Sequence, residues 1–287
     1  GSRENIVVKL TNHSRDGISD YISIEDSLVS IDKKKVLLNK KDSTALFSLP
    51  LVWNKMPYDG EYLVPVSLGG IHVANFAVRK FEVKADINKR IGLLSKFSGS
   101  PVSLALVRIG FDKVVLLNNI PDQALMDSLD VLIIDSPMPQ STEFLLFYNT
   151  NIERFLEKDG HVIILEQDAT EWNKAPLIQR LYLNKTFKFD AQLDVEIDST
   201  SQLVNLPNII SSADFDGWIF TKSKNRILIH NSHDYELPIK VAATGDPLLI
   251  SNKIYHRKIT YVGLALNYQL MNINPGAHKI LANTVSY

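Results

Sequence analysis

The sequence predicts two domains, an all-β sandwich over residues 1–86 followed by an α/β domain with a parallel sheet over residues 87–287. Three observations carry this reading. Every apolar segment from residue 5 to about residue 86 is short, strand-like and bounded by turn chemistry. From residue 91, continuous apolar runs alternate with amphipathic runs of helical period. Between them the polar stretch KADINKR (residues 84–90) marks the change of rhythm.

In the first domain, IVVKLTN (6–12) ends in the turn HSRDG, and KKVLLNKKDS (34–43) places a lysine-rich turn between two strands. TALFSLPLVW (44–53), GEYLVPVSLGG (60–70) and IHVANFAVRKFEVKA (71–85) complete the strand series. No helical period survives over ten residues, which points to a small sandwich of immunoglobulin type.

In the second domain, IGLLS (91–95), KVVLLNN (113–119), VLIID (131–135) and HVIILEQD (161–168) read as buried strands. PVSLALVRIGF (101–111) reads as a helix with Val102, Ala105, Leu106 and Ile109 inward. DQALMDSLD is a short helix, and TEFLLFYNTNIERFLEKDG (142–160) a long one ending on Gly160. This βαβ order implies right-handed crossovers and helices on both faces of the sheet. From residue 192, LDVEID, LVNLP, GWIFT, RILIH, IKVAA and PLLIS read as short strands added to the edge of the same sheet. A hairpin, SNKIYHRKITYVG, leads to an interior strand over residues 259–266, and NINPG sets Pro275 at the start of a closing helix with Ala277, Ile280, Leu281 and Val285 inward.

Composition bounds the function classes. With 287 residues, 45% apolar and 22% charged, the chain has the makeup of a globular protein. Its 31 basic and 32 acidic residues give no long-range field to recruit nucleic acid or anionic lipid. No apolar run reaches the ~20 residues of a membrane span. The lack of cysteine excludes disulfides, thiolate metal sites and a cysteine nucleophile. That lack suits a periplasmic or secreted location and is also compatible with the cytosol. Gly1 and Ser2 resemble an expression scar, so the natural chain is expected to start earlier.

DFDGW (214–218), followed by YVGLAL, QL and PGAHKILAN, resembles the end of the glutamine-amidotransferase-like region found behind the catalytic domain in some bacterial PIG-L (LmbE-like) deacetylases. The likeness covers roughly residues 89–287 and is sharpest after residue 205. It implies a flavodoxin-like class I amidotransferase fold, and the first domain likewise resembles bacterial immunoglobulin-like modules attached to glycoside-processing enzymes. The resemblance further implies a carbohydrate-linked parent enzyme whose zinc domain lies upstream and is this region's partner. Zinc in that family is held by an H-P-D-D type motif and a distant histidine. This sequence contains no such motif, so no cofactor is expected here.

Active amidotransferases place a cysteine between glycines at the strand-end elbow, because the strained turn has no room for side chains. Here that turn reads Leu165, Glu166, Gln167, Asp168. The loop that would donate oxyanion-stabilising amides reads Ser136, Pro137, Met138, Pro139, and proline has no N–H. Amidotransferase chemistry is therefore set aside, and an accessory role in scaffolding, substrate presentation or partner docking is expected.

Candidate ligand-binding residues are Asp135, Ser136, Glu166 and Asp168 at the carboxyl ends of the strands, and Asp214, Asp216 and Trp218 in DFDGW. The carboxylates could instead form a non-thiol hydrolytic pair or cap the following helices. Trp218 could stack on a sugar or anchor the edge strands. Two further patterns, His230 and His233 for zinc and Asp194, Glu196 and Asp198 for calcium, also read as a loop and a solvent-facing strand.

Overall fold

The computed structural model describes residues 4–54, 58–117, 121–136, 151–178, 181–185, 188–252 and 257–287. The chain divides into two compact units, Gly1–Glu82 and Val83–Tyr287. Among the described residues strand is the dominant element, and helices are few and mostly short.

The first unit is built from β1 (Glu4–Thr11), β2 (Ile18–Ser23), β3 (Val29–Ser30), β4 (Lys34–Leu38), β5 (Thr44–Trp53), β6 (Gly60–Leu68) and β7 (Ile71–Lys80). These form two antiparallel sheets, ordered β1-β5-β3 and β4-β2-β6-β7. Period-two alternation sends Ile22, Val36, Leu38, Leu49, Leu51, Val64 and Val66 into one shared core. β2 has no counterpart among the expected strands, because ISDYIS mixes Ser and Asp among its apolar residues.

The second unit centres on an eight-stranded mixed sheet. Its parallel strands are β8 (Ile91–Leu94), β9 (Val114–Leu117), β10 (Val131–Ile134), β11 (His161–Leu165) and β19 (Lys258–Val262). They lie in the order β9-β8-β10-β11-β19, so the order reverses between β8 and β10. Such a reversal opens a crevice at the carboxyl ends of the two central strands. β18 (Pro247–Asn252), β17 (Tyr235–Val241) and β14 (Val195–Ile197) extend the sheet antiparallel beyond β19.

Both faces are apolar. Ile91, Leu93, Val131, Ile133, Ile163 and Leu165 pack with α1 (Pro101–Ile109) and α7 (Pro275–Ser286). Leu94, Leu132, Ile134, Val162 and Ile164 pack on the other face with Phe155 of α3 (Glu153–Glu157) and Trp172 of α4 (Ala169–Trp172). The remaining helices among the described residues are α2 (Gln123–Met126), α5 (Gln202–Asn205) and α6 (Leu266–Met271). α1 and α7 start as their sequences expect, with Ser100 and Asn274 capping and Pro101 and Pro275 at the first position.

Four expectations are corrected. LVNLP is helix α5, capped by Ser201 and held by Asn283, whose amide donates to the Leu203 carbonyl at 3.0 Å. GWIFT is largely irregular: the Gln269 amide accepts from the Ile219 N–H at 3.0 Å and donates to its carbonyl at 2.9 Å, taking the place of a neighbouring strand. Only β15 (Thr221–Ser223) remains, paired with β13 (Phe189–Asp190), while RILIH becomes β16 (Arg226–Ile229), paired with β12 (Leu181–Asn184), so neither joins the main sheet. The interior strand stops at Val262, and Leu266 opens helix α6. Of the long helix expected over residues 142–160, residues 142–150 lie outside the described residues, as do residues 253–256 of the final hairpin.

Segment 211–218 docks on α7 through backbone contact. A Cβ added at Gly276 would stand 1.8 Å from the Asp214 carbonyl oxygen. In an open helix Gly→Ala gains about 1 kcal/mol. Gly276→Ala should instead lose about 2–3 kcal/mol by overpacking against main chain, read as a lower urea midpoint. Gly99→Ala, where a Cβ meets nothing within 4 Å, should stay within about 0.5 kcal/mol of the parent. Equal midpoints for the two variants would show that the 214–217 backbone yields freely.

Candidate functional site

The crevice between β8 and β10 carries Ser95 and Asp135. The Ser95 hydroxyl donates to Asp135 Oδ2 at 2.9 Å, and both residues are buried. Asp135 Oδ1 accepts from the Ser136 N–H at 2.7 Å and from Asn267 Nδ2 of α6 at 3.4 Å. Residues 137–140 of the following loop lie outside the described residues.

After β11 the chain leaves as Glu166, Gln167 and Asp168, none of them at positive φ. No strained elbow is therefore present at this turn. Gln167 folds back, donating to the Leu165 carbonyl at 2.7 Å and the Asp135 carbonyl at 3.3 Å, while its own N–H donates to the Tyr261 hydroxyl at 3.2 Å. Asp168 caps α4, accepting from the N–H groups of Thr170 at 2.9 Å and Glu171 at 3.1 Å.

Glu166 is 5% exposed. Its Oε1 accepts from the Lys224 backbone N–H and from the Ser223 hydroxyl at 3.2 Å, and Lys224 Nζ lies 3.7 Å from Oε2. Burial pushes this carboxyl up to about 7, against the lowering effect of the Lys224 N–H, the Lys224 ammonium and the Ser223 hydroxyl.

A cleft of about 760 Å³ opens over these strand ends, lined by Ser136, Gln167, Asp168, Lys185, Lys188, Phe220, Thr221, Lys224, Asn225 and Tyr268. Its two aromatic walls meet edge to face, the Phe220 and Tyr268 ring centroids 5.2 Å apart, and Lys224 Nζ sits 4.8 Å from the Tyr268 centroid. Ser136 and Asp168 thus line one cleft, with Asp135 and Glu166 buried behind it. The lysines and Phe220 escaped the sequence reading because they come from short connections whose spacing carries no period.

The DFDGW residues lie outside that lining. Asp214 is buried, accepts from the Ser211 N–H at 2.8 Å and pairs with Lys279 at 2.7 Å. Trp218 is 2% exposed, and its indole N–H donates to the Asp214 carbonyl at 3.0 Å. Its ring packs on Phe215, so it has no free face for a sugar, which corrects the stacking alternative. Asp216 is exposed and borders a separate cleft of about 290 Å³ with Lys222 and Asp194.

The metal patterns do not form sites. His230 and His233 are exposed, one at the end of β16 and the other in the following 3-10 turn. Glu196 pairs across strands with Lys240 at 2.8 Å, and Asp198 accepts from the Thr200 N–H at 3.0 Å. Among the described residues no cluster of three His, Asp or Glu could hold a metal ion. Nor is any described helix long and apolar enough to cross a membrane.

Glu166 sets a pH dependence. The folded chain holds this proton above the ordinary carboxyl value of 4.5, so between pH 4.5 and 7 the folded state binds more protons than the unfolded one. Stability from this group is therefore greatest below 4.5 and falls as pH rises to 7, by about 3 kcal/mol. In Glu166→Gln the difference in urea midpoint from the parent should be small at pH 4.5 and favour the variant at pH 8. A constant difference across that range would refute the assignment.

No protein-family model matches the chain, and no curated protein matches it. Solved structures to which the chain shows similarity include a ThuA-like protein from Bacteroides uniformis, with 13% identity over 71% of this chain and 92% of that one and a TM-score of 0.46. A GMP-synthase-like protein from Thermoplasma acidophilum has 14% identity over 68% and 91%, with a TM-score of 0.44. An exo-β-1,4-mannosidase from an Opitutaceae bacterium has 12% identity over 68% and 35%, with a TM-score of 0.40. The α/β architecture of the second unit rests on its own strand order.

Proposed function

We propose that this chain is a non-catalytic, ligand-holding accessory region of a PIG-L-like sugar deacetylase, an immunoglobulin-like sandwich joined to an amidotransferase-like α/β unit without a nucleophile. Its partner in this reading is the zinc-bearing catalytic domain of the same protein, and the strand-end cleft presents or retains carbohydrate.

One observation carries the reading. Each strand-end carboxylate already accepts local donors: Asp135 from Ser95 and Ser136, Glu166 from Ser223 and Lys224, and Asp168 from Thr170 and Glu171. These bonds hold loop and helix ends in place, a structural use for each carboxylate that supports the accessory reading. A hydrolytic alternative draws on Glu166 alone, whose carboxyl near 7 suits acid or base work at neutral pH.

The purified chain, incubated with N-acetylated amino sugars with and without added zinc, should release no acetate above the buffer rate. Appreciable deacetylation would overturn the non-catalytic reading. Should any substrate be turned over, loss of that activity in Glu166→Gln would establish the hydrolytic alternative, and unchanged turnover would remove it.

A further inference from the structure

The cleft's lining is chemically specific in a way that a scaffold does not require. It carries three lysines and a single acidic side chain, Asp168, which is engaged in capping α4. Lys224 is balanced by Glu166 at 3.7 Å. Lys185 reaches only the Thr170 hydroxyl, at 3.4 Å, and neither Lys185 nor Lys188 has a carboxylate partner among the described residues. The chain as a whole is near neutrality at −1, so this positive wall is local.

Phe220 supplies an independent observation. It is 78% exposed and sits at φ 63°, where bulky side chains are rare. The Thr221 N–H donates to the Ile219 carbonyl across it at 2.8 Å, closing a γ-type turn of the strained hand. Gln269 holds Ile219 from both sides, and Thr221 begins β15, so the turn is held on both flanks. The result is an aromatic ring projected beside the lysines instead of buried. Strain kept at an exposed, cleft-lining side chain points to use rather than to packing.

We propose, building on the ligand-holding reading above, that the cleft binds an anionic saccharide, its acidic groups at Lys185 and Lys188 and a sugar face against Phe220. A volume of about 760 Å³ falls in the range of organic-ligand sites. Lysines are point charges that suit a carboxylate or sulfate on a sugar, and an aromatic face suits the C–H surface of a pyranose. A nucleotide fits less well. Phosphates are commonly cradled by free backbone N–H groups, and here those of Thr170, Glu171 and Lys224 are already given to Asp168 and Glu166.

Calorimetry on the full chain tests this with four probes: an oligogalacturonate, a sulfated oligosaccharide, a neutral oligosaccharide of equal length, and ATP. At least one acidic saccharide should bind at least tenfold tighter than the neutral one, with affinity falling as salt rises. The Lys185→Ala/Lys188→Ala double variant should lose at least tenfold. Phe220→Gly should bind more weakly while melting at a higher temperature, since glycine relieves the strained turn. Preferential binding of the neutral saccharide, tighter binding of ATP, no binding of any probe, or undiminished binding by the double variant would each overturn the proposal. Neutral-sugar binding that is lost in Phe220→Gly would leave the ligand-holding reading intact. Hydrolysis of a bound acidic saccharide would overturn that reading and spare the ligand assignment.

Discussion

A buried backbone N–H or C=O without a partner is costly, and the second unit meets this demand with carboxamide side chains. Gln269 takes both backbone groups of Ile219, Asn208 both of Lys84 and Asn173 both of Leu183, each amide occupying the position of a missing strand. Asn283 takes both backbone groups of Asn208 and donates to the Leu203 carbonyl as well. The eight-stranded sheet satisfies itself. The irregular connections around it are held by these amides, and most of the site is built from those connections.

This arrangement shows how the cleft is held together although most of its lining lies outside strands. Gln167 ties the end of β11 to that of β10, and Asn225 Nδ2 donates to the Gln167 carbonyl at 2.9 Å, tying in the turn that carries Lys224. Gln269, in turn, positions the γ-type turn from which Phe220 projects. The carboxylates at the sheet edge belong to the same network as acceptors. Their hydrogen bonds fix loops in place.

Elements whose own residues decide their conformation were legible in the sequence. TALFSLPLVW alternates and is β5 as written, while HVIIL is buried on both faces and is β11. Pro275 and its capping Asn274 start the last helix where the sequence places it. The failures share a cause. LVNLP and GWIFT have strand-like composition, yet Asn283 and Gln269, both more than 45 residues distant in sequence, claim their backbone groups. Helix α6 follows a strand after only three residues, and the run Gly263, Leu264, Ala265, Leu266 prolongs the strand's apolar pattern into the helix start, so no break announces it. At the site, Asp135, Glu166 and Asp168 could be placed because strand ends are recognisable in sequence. Lys185, Lys188 and Phe220 could not, because only folding gathers them.

The two aromatic residues nearest one another in the DFDGWIF stretch illustrate how the same local sequence divides its labour. Trp218 is drawn inward because its indole N–H finds the Asp214 carbonyl and its ring finds Phe215. Two residues later Phe220 has no polar atom to satisfy, and the backbone before it is already held by Gln269, so the turn reverses and leaves its ring in solvent. The segment is seated on α7 where the Asp214 backbone approaches Gly276, and the tryptophan indole ties to that same Asp214 carbonyl, while Phe220 beyond it sits at φ 63°. Anchoring by DFDGW and exposure of Phe220 are therefore two ends of one arrangement, with packing at one position and strain at the next.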